Sequence, residues 1–218
     1  MISPETGRHE LFSKRLLIVL LAISILANII LITKIKFPDA LHRILIAFIP
    51  APEVVPTDHI RGNSNAKYTV IEYTDLQCPY CAQFHESMSV IMKQADVRWV
   101  YRHFPLPFHI FAQKGAEASE CAGEQGKFWE YSDALFALKG NLTDATFVKL
   151  AQDLKLDSNS FGLCVSSGKY ATVVAAQRES GVKKMIQGTP TFWLNGKRFE
   201  GGVKLDELRK MVGVRPET

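Results

Sequence analysis

The stretch VIEYTDLQCPYCAQFHE, residues 70–86, decides the fold. It overlaps YTVIEYT, residues 68–74, which is rich in β-branched and aromatic side chains and predicts a buried strand. Helical character follows over residues 83–94. The junction between strand and helix carries Cys78 and Cys81 in Cys-x-x-Cys spacing. A pair so placed is much stronger evidence for chemistry than an isolated one.

The expected chemistry follows from the start of this helix. Pro79 suits the first helical position, where its missing N–H costs nothing, so Cys78 falls at the N-cap and Cys81 one turn later. Unpaired N–H groups and the positive end of the helix dipole lower the pKa of a thiol there, which makes Cys78 the nucleophile. Cys81 is the predicted buried, resolving thiol. The two sulfurs carry the electron pair through a mixed disulfide, so no cofactor is expected.

A zinc site or a merely structural disulfide is the alternative use of this pair. Tetrahedral zinc needs two further ligands, and His85, one turn beyond Cys81, is the only tempting candidate. The sequence has no second Cys-x-x-Cys and no His-x-x-x-His. We therefore predict redox chemistry and no metal.

Composition limits the class of partner. The chain has 218 residues, 47% hydrophobic and 22% charged, with a net charge of +4. It contains no basic tract with interleaved aromatic residues, so we expect no nucleic-acid partner, although the mild basic excess is compatible with a membrane surface. The cysteine count of four is even, which fits an oxidising compartment.

The N-terminal region predicts a membrane anchor. After a tail of residues 1–15, residues 16–33 read LLIVLLAISILANIILIT without a charge. As a helix this run spans about 27 Å, near the hydrocarbon thickness of a bilayer. A cleaved signal peptide is the alternative, but its best small-x-small site, at residues 22–24, lies inside the apolar run. A buried core helix is a third option, which the flanking charges oppose.

Flanking charges do not orient this anchor, since basic residues lie on both sides. The cysteines place the domain on the extracytoplasmic, periplasmic side of the inner or plasma membrane. Residues 34–56 form a juxtamembrane segment and a proline-rich linker, which we interpret as a semi-rigid, extended spacer. Within it, residues 41–49 could extend the membrane helix, lie on the bilayer or form a dimer contact. The globular domain is expected over residues 57–218.

The order of elements in this domain predicts an α/β fold. A second strand is expected at 97–101, a hairpin around Asn195-Gly196 and a closing helix at 206–212. Helices separated by short turns fill the region from about residue 105 to 186. Their expected positions are 111–124, 128–138, a helix capped by Thr143 or Asp144 and ending at 154, a helix capped by Ser158 or Ser160, and 169–185. This order predicts a sheet that carries an inserted helical subdomain.

Three stretches resemble the DsbA-like branch of the thioredoxin superfamily. They are residues 70–86, CAGEQGKFWEYSDALF at 121–136, and GTPTFWLNG at 188–196. The resemblance covers nearly all of residues 58–212. It implies a thioredoxin fold, and the long helical insertion favours this branch over thioredoxin itself.

The resemblance also implies roles for individual residues. Cys78 matches the attacking cysteine, Cys81 the resolving cysteine, and Pro190 the cis-proline that faces them. Glu72 matches a buried acid that assists proton transfer at the resolving cysteine. The resemblance also implies that the cis bond before Pro190 turns the backbone of Thr189 outward, where a substrate peptide can pair with it in a strand-like manner.

Pro79 and Tyr80, between the cysteines, are expected to meet the substrate. This dipeptide departs from the Pro-His of the best-known DsbA proteins. A neutral tyrosine cannot supply the same positive help to the thiolate, which argues against a very strongly oxidising potential.

The expected activity is disulfide donation to reduced or unfolded exported proteins, with a membrane partner of the DsbB type that reoxidises the domain. An isomerase or reductase on the same fold is the close alternative. A threonine before the cis-proline, as Thr189 is here, is also seen in disulfide isomerases of the superfamily. A membrane-tethered binding or chaperone module with structural disulfides is the alternative from another class.

Cys121 and Cys164 form a second pair in the helical block. We favour a structural disulfide that joins two helices. Two buried free thiols, or a regulatory redox pair, are the other interpretations.

Overall fold

A computed structural model describes residues 18–26, 28, 46 and 49–215. The chain divides into two compact units, residues 1–49 and 50–218. In the first unit, residues 18–26 are helical and their side chains are exposed. Within the described part of the chain, no helix has the length and apolar character needed to span a bilayer. Of the predicted anchor, residues 16–33, the structure describes 18–26 and 28, and of the predicted juxtamembrane segment and linker, residues 34–56, it describes 46 and 49–56; the rest of both segments lies outside the described residues.

The second unit is built on a mixed sheet of five strands. In the order of the sheet they are β1 (His59–Arg61), β3 (Val97–His103), β2 (Tyr68–Thr74), β4 (Thr191–Leu194) and β5 (Lys197–Glu200). Strands β2 and β3 are parallel, and the other neighbours are antiparallel. The strand predicted at 68–74 is confirmed, and β3 continues two residues beyond its expected end. The short edge strand β1 was not predicted.

Helix α1 (Pro79–Gln94) and helix α7 (Leu205–Met211) pack on one face of this sheet. Phe84, Met88 and Ile91 on α1 are fully buried there, together with Leu208 on α7. Burying a side chain of this size stabilises the fold by roughly 1.5–3 kcal/mol. This packing fixes α1, and with it the start of the helix that carries the cysteines.

The predicted helical insertion lies between β3 and β4. Its five helices are α2 (Ala112–Gly123), α3 (Phe128–Ala137), α4 (Asp144–Asp153), α5 (Ser158–Ser166) and α6 (Ala171–Lys183). Thus a thioredoxin-like α/β fold with an inserted helical subdomain is confirmed.

The helix caps in the insertion differ in part from expectation. Thr143 caps α4 in a capping box with Thr146, which is one of the two expected caps. The cap of α5 is Asp157, whose carboxylate accepts a hydrogen bond of 2.7 Å from the Ser160 N–H. The prediction of Ser158 or Ser160 was therefore wrong, because the acidic residue before them meets the free N–H groups of the first turn.

The proline-rich segment packs onto the domain instead of standing free as a spacer. Lys184 Nζ donates to the Pro50 carbonyl at 2.8 Å, and Arg102 donates to the Glu53 carbonyl. Asp58 receives Arg102 through both carboxylate oxygens, at 2.7 and 2.8 Å. The compact unit accordingly begins at Pro50, before the expected start at 57.

Candidate active site

Cys78 and Cys81 lie at the start of α1, where the sequence places them. Cys78 is the N-cap, with φ −77° and ψ 122°, and Pro79 follows as the first helical residue. The Cys78 N–H donates to the Asp75 carbonyl at 3.1 Å, which closes the turn between β2 and α1. Both cysteines are free thiols in this structure, and Cys81 is completely buried.

The surroundings of the two sulfurs move their pKa values in opposite directions. A hydrogen bond from the Cys81 thiol, with help from the backbone N–H groups of Cys81 and Tyr80, lowers the pKa of Cys78 to about 6. Burial, followed by the hydrogen bond and charge of Cys78, raises the pKa of Cys81 well above its usual range. The arrangement therefore supplies one reactive thiolate and one thiol that stays protonated.

Glu72 lies on β2, opposite Tyr101 and Phe192 in the neighbouring strands. It is completely buried, and burial raises the pKa of its carboxyl to about 7. Its charge in turn contributes to the raised pKa of Cys81. Glu72 and the cysteine pair therefore interact electrostatically.

Thr189 and Pro190 complete the site from the start of β4. The peptide bond between them is cis. The Thr189 carbonyl oxygen lies 3.5 Å from Cys78 Sγ, within the range of a thiol hydrogen bond. The buried hydroxyl of Thr189 also acts on the reactive thiol, whose pKa it helps to lower.

Pro79 and Tyr80 are on the surface beside the reactive sulfur. Both side chains are exposed, and 64% of Tyr80 is open to solvent. Both side chains are therefore open to contact with another molecule.

His85, the candidate zinc ligand considered from the sequence, is held by an acidic side chain and an aromatic ring. Its Nε2 lies 2.7 Å from Asp133 Oδ1, and Arg61 binds the other oxygen of Asp133 at 2.8 Å. The ring also stacks on Phe136. Across the described residues, no three histidine, cysteine or acidic side chains are placed to hold a metal ion.

Cys121 and Cys164 form a disulfide that joins α2 to α5. Both cysteines are buried, and they belong to the same hydrophobic cluster as Cys78 and Cys81. This bond closes the helical insertion on itself next to the site.

Sequence reasoning missed the residues that hold the β2–α1 link. Asp75 is buried, and its carboxylate accepts hydrogen bonds from the Leu106 N–H at 2.7 Å and from His109 at 2.9 Å. Gln77 accepts a hydrogen bond from the Phe111 N–H at 2.7 Å. The available signal was the presence of two polar residues in a short link between a buried strand and a buried helix.

A thioredoxin-like sheet with a dithiol at the N-terminus of its first long helix defines the class: a thiol–disulfide exchange fold. The thioredoxin family profile matches residues 54–213. The chain therefore belongs to the thioredoxin family. Its fold with inserted helices fits a DsbA-like protein, and it is similar to DsbA2 of Pseudomonas aeruginosa, with 26% identity and a TM-score of 0.57 over 72% of this chain and 94% of that one.

Two solved structures illustrate the likeness. A thioredoxin-like oxidoreductase from Silicibacter pomeroyi aligns with a TM-score of 0.65 and 25% identity, covering 73% of this chain and 92% of that one. BdbD from Bacillus subtilis, in its oxidised form, aligns with a TM-score of 0.65 and 21% identity, covering 76% and 96%. The second likeness supports the fold alone.

A curated relative carries a different kind of name. The Na(+)/H(+) antiporter NhaA 1 of Salinispora arenicola is 38% identical over 157 residues, which make up 71% of this chain and 24% of that protein. The chain thus spans about a quarter of the length of the curated relatives it matches. Most of the antiporter's length lies outside the matched region.

Proposed function

We propose that this chain is a thiol–disulfide oxidoreductase that introduces disulfides into exported proteins through Cys78 and Cys81. The observation that carries the proposal is the placement of Cys78 at the N-cap of α1, with its sulfur 3.5 Å from the Thr189 carbonyl oxygen, while Cys81 is completely buried one turn later. In this setting the pKa of Cys78 is lowered to about 6 and that of Cys81 is raised well above its usual range. A thiol with a pKa of about 6 is about 90% thiolate at pH 7. Such a thiolate stabilises the reduced form of the pair, which makes the disulfide form an oxidant.

The proposed reaction begins with the Cys78–Cys81 disulfide. A thiolate of the substrate attacks Cys78 Sγ, a new S–S bond forms between substrate and Cys78, and the bond to Cys81 breaks with the electron pair passing to the Cys81 sulfur. A second substrate thiolate then attacks the substrate sulfur of this mixed disulfide and releases Cys78 as thiolate. The substrate gains a disulfide and loses two electrons, which the domain now holds as its dithiol.

The two steps use the two sulfurs differently. Cys81 is a poor leaving group because its pKa is high, so it needs a proton as it departs. Glu72, with a pKa of about 7, carries a proton in a large fraction of molecules at neutral pH and is the proposed donor. Cys78 leaves readily in the second step because its thiolate is stabilised.

The substrate is a reduced or unfolded polypeptide. The exposed Pro79 and Tyr80 and the backbone of Thr189, which lies beside the Cys78 sulfur, are the proposed contact surface. We also propose that residues 16–33 anchor the chain in the inner or plasma membrane, with the domain on the periplasmic side. The Cys121–Cys164 disulfide supports an oxidising compartment. A membrane protein of the DsbB type is the proposed electron acceptor.

The reduction potential of the pair tests the direction of electron flow. Equilibration of the full chain with glutathione should give a value less negative than the roughly −270 mV of thioredoxin, because the pKa of Cys78 lies below the thioredoxin value of about 7. A value of about −270 mV or lower would overturn the oxidase proposal in favour of a reductase.

The variant Cys78→Ser tests exchange chemistry itself. Disulfide transfer to a reduced, unfolded substrate protein should be lost in this variant, whereas a binding or chaperone module would keep its function. The matched control is Cys121→Ala/Cys164→Ala, which removes the other disulfide and should retain transfer.

A further inference from the structure

The carboxylate of Asp75 accepts hydrogen bonds from three N–H donors. Its Oδ1 accepts a hydrogen bond from the Gln77 N–H at 2.7 Å. Its Oδ2 accepts from the Leu106 N–H at 2.7 Å and from His109 Nδ1 at 2.9 Å. Only a carboxylate offers two oxygens to such a set, since an asparagine would turn an N–H group toward one of the donors. The buried side chain of Asp75 is therefore matched to its position.

The backbone of Asp75 reaches both cysteines. Its N–H donates to Cys81 Sγ at 3.5 Å, and its carbonyl accepts from the Cys78 N–H at 3.1 Å. A displacement of Asp75 would thus move the donor to the resolving sulfur and the turn that holds the reactive one.

His109 is the partner of Asp75 that comes from the surface. It lies between β3 and α2, its side chain is 18% exposed, and its neighbours Phe108 and Ile110 are largely exposed. The ring of His109 is the one side-chain donor to Asp75 among the described contacts, because the other two donors belong to the backbone.

We propose that His109 is a positioning residue of the dithiol, which acts through Asp75 to hold the Cys81 sulfur in hydrogen-bonding contact with Cys78. The proposal rests on the exchange function proposed above. His109 transfers no proton and no electron in it. Without the His109 donor, Asp75 Oδ2 keeps only the Leu106 N–H, and water can enter the space of the partly exposed ring. The link then loosens, and the Cys78 thiolate loses part of the hydrogen bond that stabilises it.

The experiment compares variants of the full chain at His109. His109→Ala removes the donor, whereas His109→Asn keeps an amide N–H close to the position of Nδ1. Ile110→Ala is the matched control, because it removes an exposed side chain in the same segment that has no contact with Asp75. The pKa of Cys78 is read from the pH dependence of its alkylation rate, and the glutathione equilibrium constant is measured beside it.

We expect His109→Ala to raise the pKa of Cys78 by about half a unit to one unit, less than the effect of a direct charge contact. The glutathione equilibrium should shift toward the disulfide form of the pair. His109→Asn should restore most of both values, and Ile110→Ala should leave both unchanged. If His109→Ala fails to fold, His109→Leu gives the same comparison with a side chain of similar volume and no donor.

Unchanged values in the folded donor-free variant, or the absence of any rescue by asparagine, would overturn the role of His109. The two proposals fail separately. If Cys78→Ser abolishes disulfide transfer but His109→Ala leaves the pKa of Cys78 and the glutathione equilibrium unchanged, only the positioning role is refuted. If Cys78→Ser retains full disulfide transfer, the proposed exchange function is refuted.

Discussion

Trp99 Nε1 donates a hydrogen bond of 2.9 Å to Glu72 Oε2 in the centre of the sheet. Both side chains are completely buried, and Thr74, like Trp99, offsets part of the effect of burial on the pKa of the Glu72 carboxyl. A carboxyl group in this position is costly to ionise, and its charge raises the pKa of the Cys81 thiol.

Glu72 should make stability depend on pH. Burial raises its pKa from 4.5 to about 7, so the folded state binds the proton more tightly than the unfolded state. The stabilisation that the protonated Glu72 side chain gives to the folded state is therefore fully present below pH 4.5 and is lost as the pH rises through 7. The loss amounts to about 3 kcal/mol from this group.

Urea unfolding at acidic and alkaline pH measures this effect. The Cys78→Ser/Cys81→Ser background removes the titration of the thiols. There Glu72→Gln should flatten the fall in the free energy of unfolding between pH 4.5 and 8. If the free energy of unfolding depends on pH equally with glutamate and with glutamine at position 72, the raised pKa of Glu72 is contradicted.

Cys81 should control the acidity of Cys78. Its hydrogen bond is the largest cause that lowers the pKa of Cys78 to about 6, so Cys81→Ala should raise that pKa toward the ordinary value of 9. Cys81→Ser is the matched control, because its hydroxyl can still donate to the Cys78 sulfur. Alkylation rates as a function of pH give both values, and identical pKa values in the two variants would argue against this hydrogen bond.

The Cys121–Cys164 disulfide should stabilise the fold without serving exchange. It closes a loop with a sequence separation of 43, for which the chain-entropy model gives about 4 kcal/mol. Urea unfolding of Cys78→Ser/Cys81→Ser, with the remaining disulfide either intact or reduced, isolates the covalent bond from side-chain packing. A difference of less than about 1 kcal/mol would show that the unfolded chain gains little freedom from its reduction.

Asp58 should hold the segment from Pro50 onward against the domain. Its side chain and that of Arg102 are both almost fully buried, so Asp58→Ala leaves a buried cation without its carboxylate. We expect a loss of about 3–5 kcal/mol and faster proteolysis within residues 50–58. Glu53→Ala is the control, because Arg102 contacts only the main-chain oxygen of Glu53. Equal protease resistance in the two variants would contradict the predicted role of Asp58.

The elements that sequence alone predicted are those with a strong local signal. The strand at 68–74 has a run of β-branched and aromatic residues, and the hairpin has Asn195-Gly196, which both adopt positive φ. The start of helix α1 was predicted from the cysteine pair and from Pro79, which suits the first helical position. In each case the residues that carry the signal are adjacent in the chain.

The elements that escaped prediction depend on contacts distant in sequence. Strand β1, His59–Arg61, is short and exists through its pairing with β3. The bound conformation of the proline-rich segment depends on Arg102, and the role of Asp75 depends on His109. No local pattern of residues reports such partners, because each becomes visible only when the sheet and the insertion are assembled.

The link from Asp75 to Gln77 also has a consequence for the order of folding. Its hydrogen-bond partners come from the segment after β3, and Gly140, in the turn after α3, packs so closely that a Cβ there would lie 2.5 Å from the Gln77 carbonyl oxygen. The link therefore completes these contacts only when the insertion is in place. A chain whose insertion has not yet been synthesised would hold its cysteines without these partners, so we expect the geometry of its dithiol to differ from that of the folded domain.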